Sequence, residues 1–516
     1  MEKSNKTGAI FYRPRWTCGR YNAKKHVALM YNLIAGYNYF FESYSADVVG
    51  IILSIERDGI VDLDKIAEGT GIANESLLAF SDILVQQGLL TTALPTDKGI
   101  KQYRLNVARL NLSKPSWMDK NTKEKLPIAT SNAEQQYTDA IAHKHTITSA
   151  MFELTYNCSE MCIHCYNPGA TRNNEEKSHR GDRVELGIDD YRRIIDELDA
   201  QGCFKVCLTG GDPFSKSIVW EIMDYLYQKE IAFDVFTNGQ RITKDVERLA
   251  NYFPRLIGVS IYSGIADDHD KITRIKGSWN RSIEVVKELA NLAVPMNLKC
   301  CIMQTNLHSY YMVADIAKQY SAQPQFEINI TESNEGDVCA KQLRLTEEQL
   351  QVVLRDNNLA LYVGKEAPNF GGQARIMTNN PCGAGKHTLC ITPEGNVHPC
   401  SAFPMNVGCL KTQTLSDILL NDILDKWIYT PLSEYSECGK YDYCAYCNLC
   451  AGTNWIEQGD FTKPAETNCF MAKARYNLAH KLMECDDPMN REQLVEVLQK
   501  LPTKAVELHR QFNTKG

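Results

Sequence analysis

Three cysteines fall within one short loop, Cys158-Ser-Glu-Met-Cys162-Ile-His-Cys165-Tyr166. A four-iron cluster ordinarily takes four thiolates, so three in one loop would leave one iron with an open coordination position. Structural zinc wants four closed ligands, usually arranged as C-x2-C pairs. His164 is an awkward fourth ligand, because its neighbours in sequence must already reach the same centre. A second group comprises Cys382, Cys390, Cys400, Cys409, Cys438, Cys444, Cys447, Cys450 and Cys469. Two fully ligated four-iron clusters would use all but one of these, leaving Cys390 or Cys409 spare. Taken alone, the run C-x2-C-x2-C would serve a zinc ribbon equally well. The N-terminus, MEKSNKTGAIFYRPRW, has no apolar export signal, so the 19 cysteines are expected to be reduced in a cytoplasmic protein. Reduced cysteines at short spacings are usually metal ligands. Cys18, Cys203, Cys207 and Cys485 are scattered and read as small buried hydrophobes.

These residues need a frame. A chain of 516 residues with 44% hydrophobic content suggests about three folded units. No apolar run approaches the roughly 20 residues of a membrane span. A net charge of -7 argues against a general role on nucleic acid or anionic membrane. Between residues 149 and 346 strands alternate with helices: AMFELTY, FKVCLTG, AFDVFTN, LIGVSIY, MNLKCCIM and FEINIT are the candidate strands. The first helix, IDDYRRIIDELDAQG, shows one face in Tyr191, Ile194, Ile195 and Leu198 and stops at Gly202. Six such units predict an α/β fold, a parallel sheet curled into a partial (β/α)6 barrel of the TIM-like kind. Ligands of such sheets gather beyond the C-terminal strand ends, and the triplet directly follows the first strand.

A C-x3-C-x2-C loop in that place resembles the radical S-adenosylmethionine superfamily. The resemblance implies that the methionine amino and carboxylate groups of S-adenosylmethionine bind the open iron of a [4Fe-4S] cluster. Reduction, by a flavodoxin- or ferredoxin-type partner, would then give a 5′-deoxyadenosyl radical that abstracts hydrogen. Three further matches follow later strands. Gly210-Gly211-Asp212-Pro213 resembles the element that holds the methionine amino group, with Asp where Glu is usual. Thr237-Asn238-Gly239 is similar to the family's third-strand contact, and Ser260 matches its ribose-contacting position. Tyr166, closing the triplet, joins them as an implied cosubstrate contact.

The later cysteines resemble a SPASM domain, which carries auxiliary [4Fe-4S] clusters in peptide-modifying radical enzymes. Cys382, Gly395 and the Val-x-Pro-Cys ending at Cys400 match its opening. The continuation departs from the pattern: Tyr441 stands where a second cysteine belongs, and Cys444 lies three residues later. Ligands from this region are therefore expected among Cys382, Cys390, Cys400, Cys438, Cys444, Cys447, Cys450 and Cys469, without assignment to individual clusters. The expected units are 1–105, a linker 106–148, the barrel 149–346, a bridging helix 347–375, the SPASM domain 376–475 and C-terminal helices 476–516.

Residues 1–105 begin with strand-like alternation and continue through three helices, in the outline of a winged helix with a hairpin to follow. The last helix, NESLLAFSDILVQQG, takes Asn74 as its candidate N-cap and Gly88 as its stop. It carries Glu75 and Asp82 and no Lys or Arg, so a DNA-binding role, with the clusters as redox switches, is disfavoured. The unit instead resembles the winged-helix domains that bind the leader of a precursor peptide in enzymes modifying ribosomally made peptides. The expected function is a radical peptide maturase, forming a C–S or C–C crosslink. The alternative is a peptide epimerase whose hydrogen donor is Cys339, Cys300 or Cys301, although each would equally serve as a buried or incidental thiol.

Overall fold

The computed structural model describes residues 10–113, 132–167, 184–332, 338–356, 359, 379–380, 382–482 and 489–502. Cys485, residues 114–131 of the expected linker, nearly all of the bridge beyond residue 356, and the tail beyond 502 lie outside the described residues. So does the side chain of Cys339, whose backbone belongs to a 3-10 turn, Val338–Leu343. Among the described residues no helix is long and apolar enough to cross a membrane.

Six parallel strands form the centre: β6 (Ser149–Glu153), β7 (Lys205–Thr209), β8 (Ala232–Thr237), β9 (Leu256–Ser260), β10 (Met296–Cys301) and β11 (Gln323–Glu327). Their period of two explains the layers. Val206, Leu208, Val235, Ile257, Val259 and Leu298 face outward into one core with Ile194, Ile195 and Leu198 of the helix Ile188–Ala200. The alternate positions, among them Glu153, Cys207, Asp234, Ser260, Lys299 and Cys301, turn inward. The last strand ends earlier than FEINIT suggested. The Glu327 carboxylate accepts the backbone N–H groups of Ile328 and Asn329 at 2.9 and 2.7 Å, a local bond that turns the chain out of the sheet.

The sheet also continues past β6. Strand β12 (Thr388–Ile391) pairs parallel with β6, placing Cys390 opposite Met151, and leads antiparallel into β13 (Asn396–His398) and β14 (Gly408–Cys409). The cysteine-rich region is thus bolted onto the barrel wall. The helix Glu347–Val353, with Thr346 and Gln349 closing a capping box, stands where the bridge was expected.

The N-terminal unit holds an antiparallel meander of β2 (Thr17–Asn22), β3 (Val27–Asn32) and β4 (Tyr37–Glu42), followed by helices Ser43–Ser54, Leu63–Thr70 and Asn74–Gln86. The third helix starts at Asn74, with Ala73 and not Asn74 as N-cap; the Asn74 amide is drawn away to the Asp64 carboxylate at 2.8 Å. Gly88, at φ +68°, ends the turn as expected. No hairpin follows. Thr91 instead bridges to Tyr12 of β1 (Phe11–Tyr12), whose other partner is β5 (Ile60–Val61), and the helix Asp97–Ser113 comes next.

This unit sits on the floor of the barrel, the N-terminal ends of the strands. Phe204, Ala232 and Phe253, each at or just before a strand start, share a buried cluster with Trp16, Leu29 and Tyr31. Arg13 and Arg57 pair with Glu230, and Arg20 pairs with Asp199 while donating to the Cys203 carbonyl at 2.6 Å. The expected linker is not featureless: Ala133–Ile141 is a helix set against the same floor. Its Glu134 accepts from Lys205 at 2.5 Å and from Tyr31 at 2.9 Å, and Tyr137 packs edge-on against Phe204. The helix is concealed within a polar stretch because its apolar face, Tyr137 and Ile141, is only a few residues long.

Candidate active site and cluster-binding sites

The triplet loop is anchored before anything binds it. Met161 and Ile163 donate backbone N–H bonds to the carbonyls of Thr273 and Ile272, both 3.0 Å, at the end of the helix Ala266–Thr273. Cys158 Sγ accepts from the backbone N–H of Glu160 at 3.4 Å and from Asn238 Nδ2 at 3.2 Å. Hydrogen bonds to ligand sulfur are among the levers by which a protein sets cluster potential. Asn238 therefore meets the triplet itself, a role the third-strand match did not specify.

Gly210 and Gly211 run against the backbone leaving β6. Gly211 N–H donates to Thr155 O at 2.6 Å, and Asp212 N–H to Asn157 O at 3.0 Å. A Cβ on Gly210 would stand 2.4 Å from Thr155 O, and its φ is +127°, so only glycine fits. This approach delivers Asp212 to the buried top of the barrel. Its Oδ1 accepts from Thr237 Oγ1 at 2.5 Å, while Oδ2 is buried without a partner. Burial pushes this carboxyl up to about 6. An orphaned buried carboxylate oxygen beside the cluster loop fits a ligand ammonium, so the residues suit the methionine end of S-adenosylmethionine. Thr237 is a positioning residue here, since its hydroxyl also accepts from Gly239 N–H at 3.0 Å. Ser260 closes β9, where it hydrogen-bonds the Tyr262 phenol.

Other residues were not foreseen. Glu160, inside the triplet, has one unpartnered buried oxygen and is pushed by burial up to about 8. Glu153, at an inward position of β6, is buried and pushed to about 7, with Tyr156 donating to it at 3.3 Å. A charged residue within AMFELTY was the available signal. Tyr166 turns toward the barrel interior, where Glu153, Cys390, Cys165 and Cys207 are its titratable neighbours. His164 packs edge-on against Tyr262 at 4.5 Å, and burial lowers its pKa to about 4. It forms part of an aromatic wall with Tyr262 and His269, which stack at 5.5 Å. Of the two cysteines on β10, Cys300 lies in the outer core and Cys301 faces the interior beside Cys165 and Glu327.

The later cysteines divide into two groups. Cys382, Cys400 and Cys450 are mutual electrostatic neighbours, and each sulfur accepts a backbone N–H, from Ala384, Ala402 and Thr453 at 3.4, 3.3 and 3.4 Å. Cys390 lies between Cys400 and the barrel interior, close to Glu153 and Cys207. A cavity elsewhere is lined by Cys438, Cys444, Cys447 and Cys469, with Tyr443 and Asn468. The 3-10 turn Asp442–Tyr446 carries Cys444 to this wall; Tyr441, which also lines it, is half exposed and stacks on Tyr443 at 5.2 Å. Cys409 joins neither group; its thiol points to the Glu394 carbonyl at 3.9 Å. Among the described residues no three His, Cys, Asp or Glu side chains converge as a single metal ion would require. The thiols of Cys438, Cys444, Cys447 and Cys469 line a cavity instead.

Residues 152–308 match the model of the Radical SAM superfamily, and residues 382–451 match SPASM, an iron-sulfur cluster-binding domain. Among curated proteins the chain is similar to the antilisterial bacteriocin subtilosin biosynthesis protein AlbA of Bacillus subtilis, at 24% identity over 69% of this chain and 77% of that protein. It is also similar to the mycofactocin maturase MftC of Mycobacterium tuberculosis, at 28% identity over 57% of this chain and 76% of that one. Streptococcus suis SuiB bound to precursor peptide SuiA matches at a TM-score of 0.48 and 14% identity, covering 89% of this chain and 99% of that one.

Proposed function

We propose that this chain, a radical S-adenosylmethionine protein with a SPASM iron-sulfur domain, matures a ribosomally made precursor peptide. Cys158, Cys162 and Cys165 would hold a [4Fe-4S] cluster, which would supply the electron for cleavage of S-adenosylmethionine to methionine and a 5′-deoxyadenosyl radical. Asp212 holds the methionine ammonium, and Gly210 and Gly211 let backbone and cosubstrate approach closely. Ser260 contacts the ribose. The barrel interior, walled by Glu153, Tyr166, Lys299 and Cys301, receives the core residue that loses hydrogen. Cys382, Cys400, Cys450 and Cys390 suit one auxiliary [4Fe-4S] cluster, and Cys438, Cys444, Cys447 and Cys469 a second. A flavodoxin- or ferredoxin-type protein is the reductant in this reading.

One observation carries the peptide reading. Strand β4 is the last of its sheet, and beside it runs a groove lined by Tyr39, Phe41, Ile83, Leu84, Leu89 and Gln136. Ile83 is half exposed there although it belongs to an otherwise amphipathic helix. An edge strand beside a groove of mixed apolar and polar lining is what an extended leader segment needs for β-augmentation. The names of the two curated relatives, a bacteriocin biosynthesis protein and a maturase, agree with a maturation role. The expected product is a C–S or C–C crosslink, visible as loss of two hydrogens (about 2 Da) from the coexpressed precursor by mass spectrometry. Cys301, facing the interior, favours a second reading as epimerase, in which the precursor mass is unchanged and Cys301→Ala abolishes the product. A chain that forms no 5′-deoxyadenosine with reductant and S-adenosylmethionine would refute both.

A further inference from the structure

The leader groove and the radical site lie at opposite ends of the same barrel. Every cosubstrate element follows a strand: the triplet after β6, Gly210–Asp212 after β7, Asn238 after β8, Ser260 at the end of β9. Among the described residues, the polar contacts of the N-terminal unit with the barrel precede a strand. Arg20 holds the Cys203 and Lys229 carbonyls, at 2.6 and 2.8 Å, before β7 and β8. Arg104 holds the Ala250 carbonyl at 2.6 Å before β9. Arg57 lies 3.4 Å over the Tyr227 ring, and Tyr227 in turn donates to the Arg15 carbonyl at 3.3 Å. Arg13, 1% exposed, pairs with Glu230. These are buried contacts, fixed in direction, and they hold the unit on the floor.

The groove belongs to that floor. Gln136, one of its lining residues, sits on the helix Ala133–Ile141, whose Glu134 binds Lys205, the first residue of β7. The same helix closes the direct path through the barrel, since Tyr137 seals against Phe204 and Arg255 reaches both Glu134 and Asp234. A peptide docked at β4 must therefore travel around the outside and enter from the top.

From this we infer that the substrate is a peptide in which a stretch of about ten or more residues separates the docked leader segment from the first modified residue. The inference rests on the leader reading of the groove. The length follows from dimensions. Strands of five residues span about 17 Å, and the surrounding helices add a layer roughly 10 Å thick. Climbing the wall and turning over the rim makes a path of roughly 30–40 Å. An extended chain covers about 3.3–3.6 Å per residue, which sets the minimum near ten. Beyond it a flexible spacer lowers local concentration only slowly with length, so successive core positions are reached from one docking event.

The distance can be measured on the holoenzyme without a substrate. An azide-bearing amino acid is installed at Ile83, and Gly-Ser tethers of about 4, 8, 16 and 24 residues, each ending in a diazirine, are clicked to it. After irradiation, cross-linked peptides are mapped by mass spectrometry. The two short tethers are expected to label only the N-terminal unit and the segments 199–204 and 227–232. The two long ones should also label the top loops, 154–167 and 260–264. Labelling of a top loop by a tether of about 4 or 8 residues would overturn the inference, as would failure of the longest tether to reach any top loop. The groove reading is tested separately by Ile83→Glu: precursor binding that survives this change removes the docking site while leaving the measured distance intact.

Discussion

The two ends of the barrel treat charge in opposite ways. At the floor the buried charges are nearly all paired with an opposite one, Arg13 and Arg57 with Glu230, Arg20 with Asp199, Lys205 with Glu134 and Arg255 with Asp234, while Arg104 donates to the Ala250 carbonyl. At the top Glu153, Glu160 and Asp212 are buried carboxyls with no ion pair among the described residues, and burial raises all three. Leaving a carboxyl unpartnered costs stability. Such groups are kept where a ligand or a proton completes them. The contrast separates an end that holds the molecule together from an end prepared for chemistry.

The most severe way to test that division is Cys158→Ala. Formation of 5′-deoxyadenosine should fall by at least about a thousand-fold, because the open-site cluster needs all three thiolates. The thermal unfolding midpoint of the apoprotein should hardly move, since Cys158 is exposed there. A second thiol test concerns the region where the sequence pattern broke. Cys444→Ala should remove about four iron atoms per chain, whereas Tyr441→Phe should leave iron content and the electron paramagnetic resonance spectrum of the reduced protein intact. Equal losses from both would place Tyr441 in the ligand set.

That departure shows what sequence alone can and cannot carry. The triplet and the glycine pair were legible because their chemistry is local: a loop spacing, and a backbone approach only glycine allows. Cys444 reaches the cavity wall through the turn Asp442–Tyr446, three residues beyond the position the pattern expects, without a change in cysteine count. Cys390 and Cys409 could not be told apart by spacing. The first becomes an interior residue only because β12 pairs with a strand laid down far earlier in the chain. Glu153 was overlooked inside an apolar strand, and the helix Ala133–Ile141 inside a polar stretch, because in both the decisive neighbours are distant in sequence.

At the floor, Glu230→Ala should destabilise the protein by about 3 kcal/mol, as it strands the buried Arg13 beside Arg57. Denaturant unfolding measures this. At temperatures where the variant stays folded, 5′-deoxyadenosine formation should match the wild type, the reverse of the Cys158→Ala result. A floor variant that loses cosubstrate cleavage while folded would break the comparison.

The mildest change is the sharpest, because Asp212→Asn should move stability and binding in opposite directions. The carboxyl ordinarily titrates near 3.8 and in the folded chain near 6. Between those values the native state holds the extra proton, so stability falls as pH rises from about 4 to about 6 and stays lower above. Asparagine carries no such proton. Relative to the wild type, the variant should therefore gain about 1–3 kcal/mol between pH 4 and pH 7, read from unfolding midpoints at the two pH values. Its affinity for S-adenosylmethionine should meanwhile drop about ten-fold or more, since a charge-assisted hydrogen bond to the ammonium is lost. A variant that binds normally would show that Asp212 is only a support for Thr237. One that loses binding while gaining no stability would show that its orphaned oxygen is satisfied in the resting protein.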